Sequence, residues 1–88
     1  MSTFIRTIEG RISAVDYGKK ELSLIIKEDM GGRSVDKNIS FSMDPNVAII
    51  NTAAQQVKLS ELLKGHYVEI GYTRHKSRRT ASTIKRVK

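Results

Sequence analysis

The sequence contains no cysteine and no apolar run long enough to cross a membrane as a helix. Without cysteine there is no disulfide framework and no thiolate metal site, so packing and hydrogen bonds must supply all of the stability. A spanning helix needs roughly 18 apolar residues, and the opening MSTFIRTIEG lacks the apolar centre of a secretion signal. These absences predict, by default, a cytoplasmic location, and the length of 88 residues predicts a single small domain over residues 1–88.

Acidic residues are absent from the last fifteen positions, residues 74–88, which hold the whole net charge of +7. Residues 1–73 carry nine basic and nine acidic residues, and these cancel. A segment of this kind is typical of proteins that contact nucleic acid or an anionic surface, although a solubilising, frayed chain end has the same composition. The basic residues of the segment are Arg74, Lys76, Arg78, Arg79, Lys85, Arg86 and Lys88.

Glycine, proline and polar turn residues divide the chain into short runs in which apolar and polar residues alternate. This period of two predicts β-strands, and the first two runs predict a hairpin around Gly18. Pro45 lies in a predicted turn between the third and fourth strands. Ala81, Ile84 and Val87 fit no single strand parity, and a bulge between Ala81 and Ile84 is predicted to place all three on one face of the last strand. The predicted strands cover residues 8–15, 21–28, 34–43, 47–50, 66–74 and 79–87.

One short helix is predicted before the fifth strand, over residues 58–65, with Gly65 at its end. In the fifth strand the alternation places Val68 and Ile70 inward. Five or six strands with this single helix predict an all-β fold, a small antiparallel OB-like barrel. Its last strand is the basic segment 74–88, and closure of the barrel removes exposed strand edges.

Three segments carry motifs of a known kind: GRISAVD with KELSL, then VKLSELLKGHYVEIGY, then RTASTI. They resemble the small OB-like domains of several uncharacterised bacterial proteins. In that family a Gly-x-Val/Ile-x-x-Val-Asp strand opens the barrel, and a Leu-x-x-Leu-x-x-Gly-Asp-x-Val segment precedes the fifth strand. His66 stands where the family usually has an acid, and many members are exported. The resemblance implies the barrel and implies no function. The matching residues are Gly10, Ile12, Val15, Asp16, Leu59, Leu62, Gly65, Val68, Tyr72, Ala81 and Ile84.

Groups for catalysis or for metal binding are sparse. The two histidines, His66 and His75, lie at opposite ends of the predicted fifth strand, with no acidic pair placed to complete a metal site. The glycines of the DMGGR segment lack the strand-to-helix context and the Lys-Ser or Lys-Thr of a phosphate-binding loop. The sequence therefore predicts a protein that is not an enzyme and that has no cofactor and no metal site.

The predicted binding surface consists of the seven basic residues and two tyrosines. Outward-facing Tyr67 and the turn residue Tyr17 could stack on exposed bases, although both also suit an ordinary surface. The predicted function is non-catalytic binding of nucleic acid, DNA or RNA, by mainly electrostatic and weakly sequence-specific contacts. The alternative is a protein-interaction module whose basic C-terminal segment contacts an acidic partner protein or an anionic surface.

Overall fold

Five strands form the fold: β1 (Arg6–Asp16), β2 (Glu21–Met30), β3 (Arg33–Ile50), β4 (Tyr67–His75) and β5 (Arg78–Arg86). They close into a ring in the computed structural model, which describes residues 5–87. The order around the ring is β1-β2-β3-β5-β4, and β4 pairs again with β1. The predicted all-β fold, a small OB-like barrel, is confirmed. The basic segment contributes a complete strand, β5, so most of it is not a frayed tail.

The third and fourth predicted strands are a single strand, β3, of 18 residues. Pro45 lies at an irregularity of this strand, because the ladder with β5 stops at Met43 and resumes at Ala48. Proline has no N–H for a ladder bond, and none is needed at this point. β3 and β5 run parallel, so the prediction of an entirely antiparallel barrel is wrong for this pair. Residue alternation carries no information on strand direction, which the connection between β3 and β4 sets here.

The helix predicted over residues 58–65 is reduced to a 3₁₀ turn, Leu59–Glu61. Backbone hydrogen bonds hold the chain on both sides of this turn. The Val57 N–H donates to β3 and the Gly65 N–H donates to β1, each at 2.8 Å. Leu62 follows the turn directly and is 3% exposed, so this segment covers part of the core.

Every buried side chain among residues 5–87 is apolar. Val68 and Ile70 point inward, as predicted, and both are fully buried. The bulge predicted between Ala81 and Ile84 is also present, because the β4–β5 register skips Ser82 and so returns both residues to the inner face. The buried set is Ile12, Leu22, Leu24, Ile39, Phe41, Met43, Ile49, Leu62, Val68, Ile70, Ala81 and Ile84.

Candidate functional site

The structure divides the predicted basic surface between the two ends of β5. Arg74, Lys76 and the two arginines at residues 78–79 surround the β4–β5 turn, and the Arg74 Nε donates to the Lys76 carbonyl at 3.1 Å. Lys85 and Arg86 lie at the other end of β5, roughly 20 Å away at the usual rise of a strand. Lys88 lies outside the described residues. The basic residues are therefore not brought together into one surface.

The two tyrosines of the predicted surface lie apart from the basic turn. The Tyr17 hydroxyl donates a hydrogen bond to the Leu62 carbonyl, so its ring joins the β1–β2 turn to the segment that follows the 3₁₀ turn. Tyr67 is 39% exposed and lies opposite Arg11, in a groove that Lys27 also lines. Tyr17 therefore has a structural role in this fold, and Tyr67 faces outward as predicted.

The two histidines occupy opposite ends of β4 and do not share a site. His66 is half-buried at a small cavity of about 40 Å³ that Glu61 and Arg86 also line. Its Nδ1 accepts a 3.4 Å hydrogen bond from the Leu63 N–H. Burial, and secondarily the positive charge of Arg86, lower the pKa of His66 below its ordinary value of 6.5. Protonation of His66 is therefore disfavoured in the folded state.

Acidification is expected to destabilise the protein through His66. Because its pKa is lower in the folded state, the unfolded chain binds this proton more readily, and stability rises with pH across that interval. The free energy of unfolding should be unaffected by His66 above pH 6.5 and should fall as the pH drops below it. Urea melts of His66→Gln should lack this part of the pH dependence. His75→Gln, the control at the exposed end of β4, should retain it, and identical pH profiles for all three proteins would contradict the assignment.

The outer parts of β2 and β3 form a two-stranded ribbon, residues 26–37, that extends past its neighbours. The ladder between β1 and β2 stops at Ile25, and the ladder between β3 and β5 begins at Ser42. Within residues 5–87, the two strands of the ribbon therefore pair only with each other. Both outer backbone edges of the ribbon are open, although the barrel itself is closed.

The ribbon begins where β1 and β2 make an unusually close approach. A Cβ added to Gly10 of β1 would lie 2.8 Å from the Ile25 carbonyl oxygen and 2.9 Å from the Ile26 Cγ2. Only glycine fits between these atoms without a shift of the backbone. From this point β1 pairs with β4 alone, and the β2 edge is uncovered from Lys27 outward.

The face of the ribbon that continues the barrel interior is mixed, since Glu28 and Lys37 lie on it together with apolar residues. Leu24 and Ile39 are opposite each other in the β2–β3 ladder and are both buried. The same alternation leads along this face to Val35 and Met30, which are 43% and 59% exposed. Large exposed apolar side chains beside an open strand edge favour pairing with a strand of another chain.

The charges of the ribbon are balanced, in contrast to those of the basic turn. It carries three acidic and three basic residues. Lys37 Nζ lies 3.6 Å from Glu28 Oε2, and Lys27 stands opposite Asp36 in the ladder. A surface of this kind has no general attraction for a polyanion. Its open backbone edges and its exposed Met30 and Val35 are the features that suit a polypeptide partner.

Residues 5–87 bring together no group of three or more His, Cys, Asp or Glu side chains that could hold a metal ion. In the same range, no helix is long and apolar enough to span a membrane.

Solved structures of similar fold provide the comparison with known proteins. One is a point variant of CusF from Escherichia coli with Cu(II), with a TM-score of 0.68 and 13% identity over 96% of this chain and 92% of that chain. Another is CusF with Ag(I), with a TM-score of 0.68 and 13% identity over 94% and 97%. A third is apo-CusF from Escherichia coli, with a TM-score of 0.67 and 13% identity over 99% and 92%. No protein-family model matches the sequence, and the search of curated proteins finds no match.

This comparison corrects the predicted function and location. The chains that share the fold almost end to end are CusF proteins, two of them with copper or silver, so the predicted nucleic-acid binding is wrong, as is the prediction of DNA or RNA as the partner. The alternative of an acidic partner at the basic segment gains no support. The predicted cytoplasmic location is also wrong, since these CusF neighbours contradict it. Net charge was a poor guide because it reports the number of basic residues and not their arrangement.

Proposed function

We propose that this chain is a non-catalytic protein-interaction barrel and that the ribbon, residues 26–37, is its binding element. The observation that carries the proposal is the pair of open strand edges beside two exposed apolar side chains, Met30 and Val35. Natural proteins protect exposed edges because an unpaired edge recruits other strands. An edge that is kept open and flanked by Met30 and Val35 is a template for pairing with a partner chain.

Copper or silver binding, named for the CusF structures, does not fit the side chains of this chain. Thioether and imidazole groups are the soft ligands present, and those in residues 5–87 lie apart. Met43 is in the core, while Met30 is at the tip of the ribbon, about 30 Å away along the ladder. His66 and His75 are at opposite ends of β4. The likeness to CusF therefore supports the fold, and no metal site accompanies it in the described residues.

We also propose that the chain is a diverged relative of the OB-like domains that its motifs resemble. Three motif positions have structural roles that account for the residue type. Gly10 occupies a position where a Cβ would meet β2. The Asp16 carboxylate accepts a 3.0 Å hydrogen bond from the Lys19 N–H in the β1–β2 turn. Leu62 covers the core after the 3₁₀ turn.

Shortening the ribbon tests the proposed function while leaving the barrel intact. Lys27 and Asp36 are directly opposite, so residues 28–35 can be replaced by the two-residue turn Asn-Gly, which suits a tight hairpin. The free energy of unfolding of the variant should lie within about 1 kcal/mol of that of the full chain. The removed residues are exposed, and the lost ion pair is a surface pair. It should lose any complex that the full chain forms in extracts of its native cells. Complexes of equal size from both chains would contradict the proposal.

A further inference from the structure

We propose that Met30 is an oxidative modification site, and that conversion of its thioether to a sulfoxide releases the partner from the ribbon. This inference rests on the proposed function and adds its regulation. Met30 is the last residue of β2, and its side chain is 59% exposed, more than that of Val35 on the facing strand. The site is therefore part of the binding element itself.

The composition of the chain makes Met30 the preferred target of an oxidant. The sequence contains no cysteine, whose thiolate is the other oxidisable sulfur group in proteins. Met43 lies in the core and is only 6% exposed, and Met1 lies outside the described residues. Met30 is consequently the one exposed sulfur within residues 5–87.

The turn that follows Met30 leaves its sulfur open to solvent. Met30 and Arg33 form the last pair of the β2–β3 ladder, and the chain reverses between them at Gly31 and Gly32, both with positive φ. A Cβ added to either glycine would meet no atom beyond the adjacent residues within 4 Å. The turn thus has no side chain of its own to cover the thioether, and a small oxidant such as hydrogen peroxide reaches it directly.

The reaction is the transfer of one oxygen atom from hydrogen peroxide to the sulfur. The sulfur lone pair attacks one peroxide oxygen, so an S–O bond forms and the O–O bond breaks. The sulfur loses two electrons, and the displaced hydroxide takes the proton of the transferred oxygen and leaves as water. An apolar thioether becomes a polar sulfoxide. A thiol-dependent reductase reverses the change, because two thiols are oxidised to a disulfide while the oxygen leaves as water.

Oxidation at this position should affect binding and leave the fold unchanged. The Met30 side chain lies outside the core, so in the free chain the sulfoxide stays in water. In the complex, Met30 and Val35 are the large exposed apolar side chains that the ribbon offers to its partner. A sulfoxide there must lose its water without a matching donor, and that desolvation opposes binding.

Peptide mapping by mass spectrometry tests the site on the purified full chain during exposure to hydrogen peroxide. Met30 should gain one oxygen atom at least about tenfold faster than Met43, because access to the sulfur sets the rate. The chain is then freed of peroxide and sedimented in extracts of its native cells. The amount of complex should fall at least about tenfold relative to the untreated chain, while thermal melts should show an intact barrel.

Met30→Leu and Met43→Leu are matched variants, since each replaces a thioether with an aliphatic side chain of similar volume. After the same peroxide treatment, Met30→Leu should keep the complex and Met43→Leu should lose it. Met30→Gln, which places a polar group at this position without any oxidant, should also lose the complex.

Equal rates of oxidation at Met30 and Met43 would overturn the assignment of the site. A chain oxidised at Met30 that still forms the full amount of complex would overturn the regulation and leave the proposed function standing. If the untreated chain forms no complex that depends on the ribbon, the proposed function fails, and this inference fails with it.

Discussion

Ending the chain after Arg79 is expected to abolish cooperative folding. β5 pairs with β3 on one side and with β4 on the other, so its loss opens the ring at two edges. The truncation also removes Ala81 and Ile84, both fully buried. A domain of this size buries little surface on folding, so the loss of part of its core is expected to unfold it.

The double substitution Arg78→Gln with Arg79→Gln is the matched control for this truncation. It removes two charges from the β4–β5 turn and should change the free energy of unfolding little, since surface charges contribute little to stability. Urea melts followed by far-ultraviolet circular dichroism measure both proteins. A truncated chain with the midpoint of the full chain would show that β5 is dispensable, contrary to the structure.

Ile70→Ala is expected to cost roughly 2 to 5 kcal/mol of stability, the usual range for emptying a fully buried aliphatic site. Ile70 is 0% exposed, and its neighbours in the ladders are Ile8 and Ile84. Glu69→Ala is the control on the same strand, because Glu69 faces outward between Glu9 and Lys85. If urea melts showed Glu69→Ala to be the more damaging change, the inward face of β4 would be assigned wrongly.

The sequence predicted those parts of the fold that depend on local alternation. The inward face of β4 followed from the period of two, and the bulge at Ser82 followed from the mismatch between Ala81 and Ile84. The uninterrupted β3 was missed, because Pro45 is a turn signal in most contexts and only the gap in the β3–β5 ladder makes it compatible with a strand. The parallel β3–β5 pair could not be predicted either, since it depends on how a distant connection crosses the barrel.

The ribbon was missed for a physical reason. Residues 28–35 were predicted as strand ends around a hairpin loop, and nothing in this stretch shows how far β2 and β3 extend past their neighbours. Whether Met30 and Val35 are covered depends on where β1 and β5 stop, and those end points are set by contacts distant in sequence. One local signal was present: Met30 and Val35 are apolar residues close to the tip of a hairpin, where polar residues are usual.

The cations of the basic segment do not form one binding surface. Its residues form a real strand, yet the cations of the turn and those at the far end of β5 are separated by the length of that strand. The Tyr17 hydroxyl is bonded to a backbone carbonyl. A count of positive charges could not reveal either fact.

The central claim is that the ribbon, and not the basic turn or a metal ion, binds the partner. Sedimentation of the full chain in extracts of its native cells, beside the chain in which Asn-Gly replaces residues 28–35, tests this claim most directly. The account predicts that the full chain sediments in a complex heavier than its own 9.9 kDa, while the shortened chain sediments as a single folded barrel. Equal sedimentation of the two chains, whether both free or both in complexes, would contradict it.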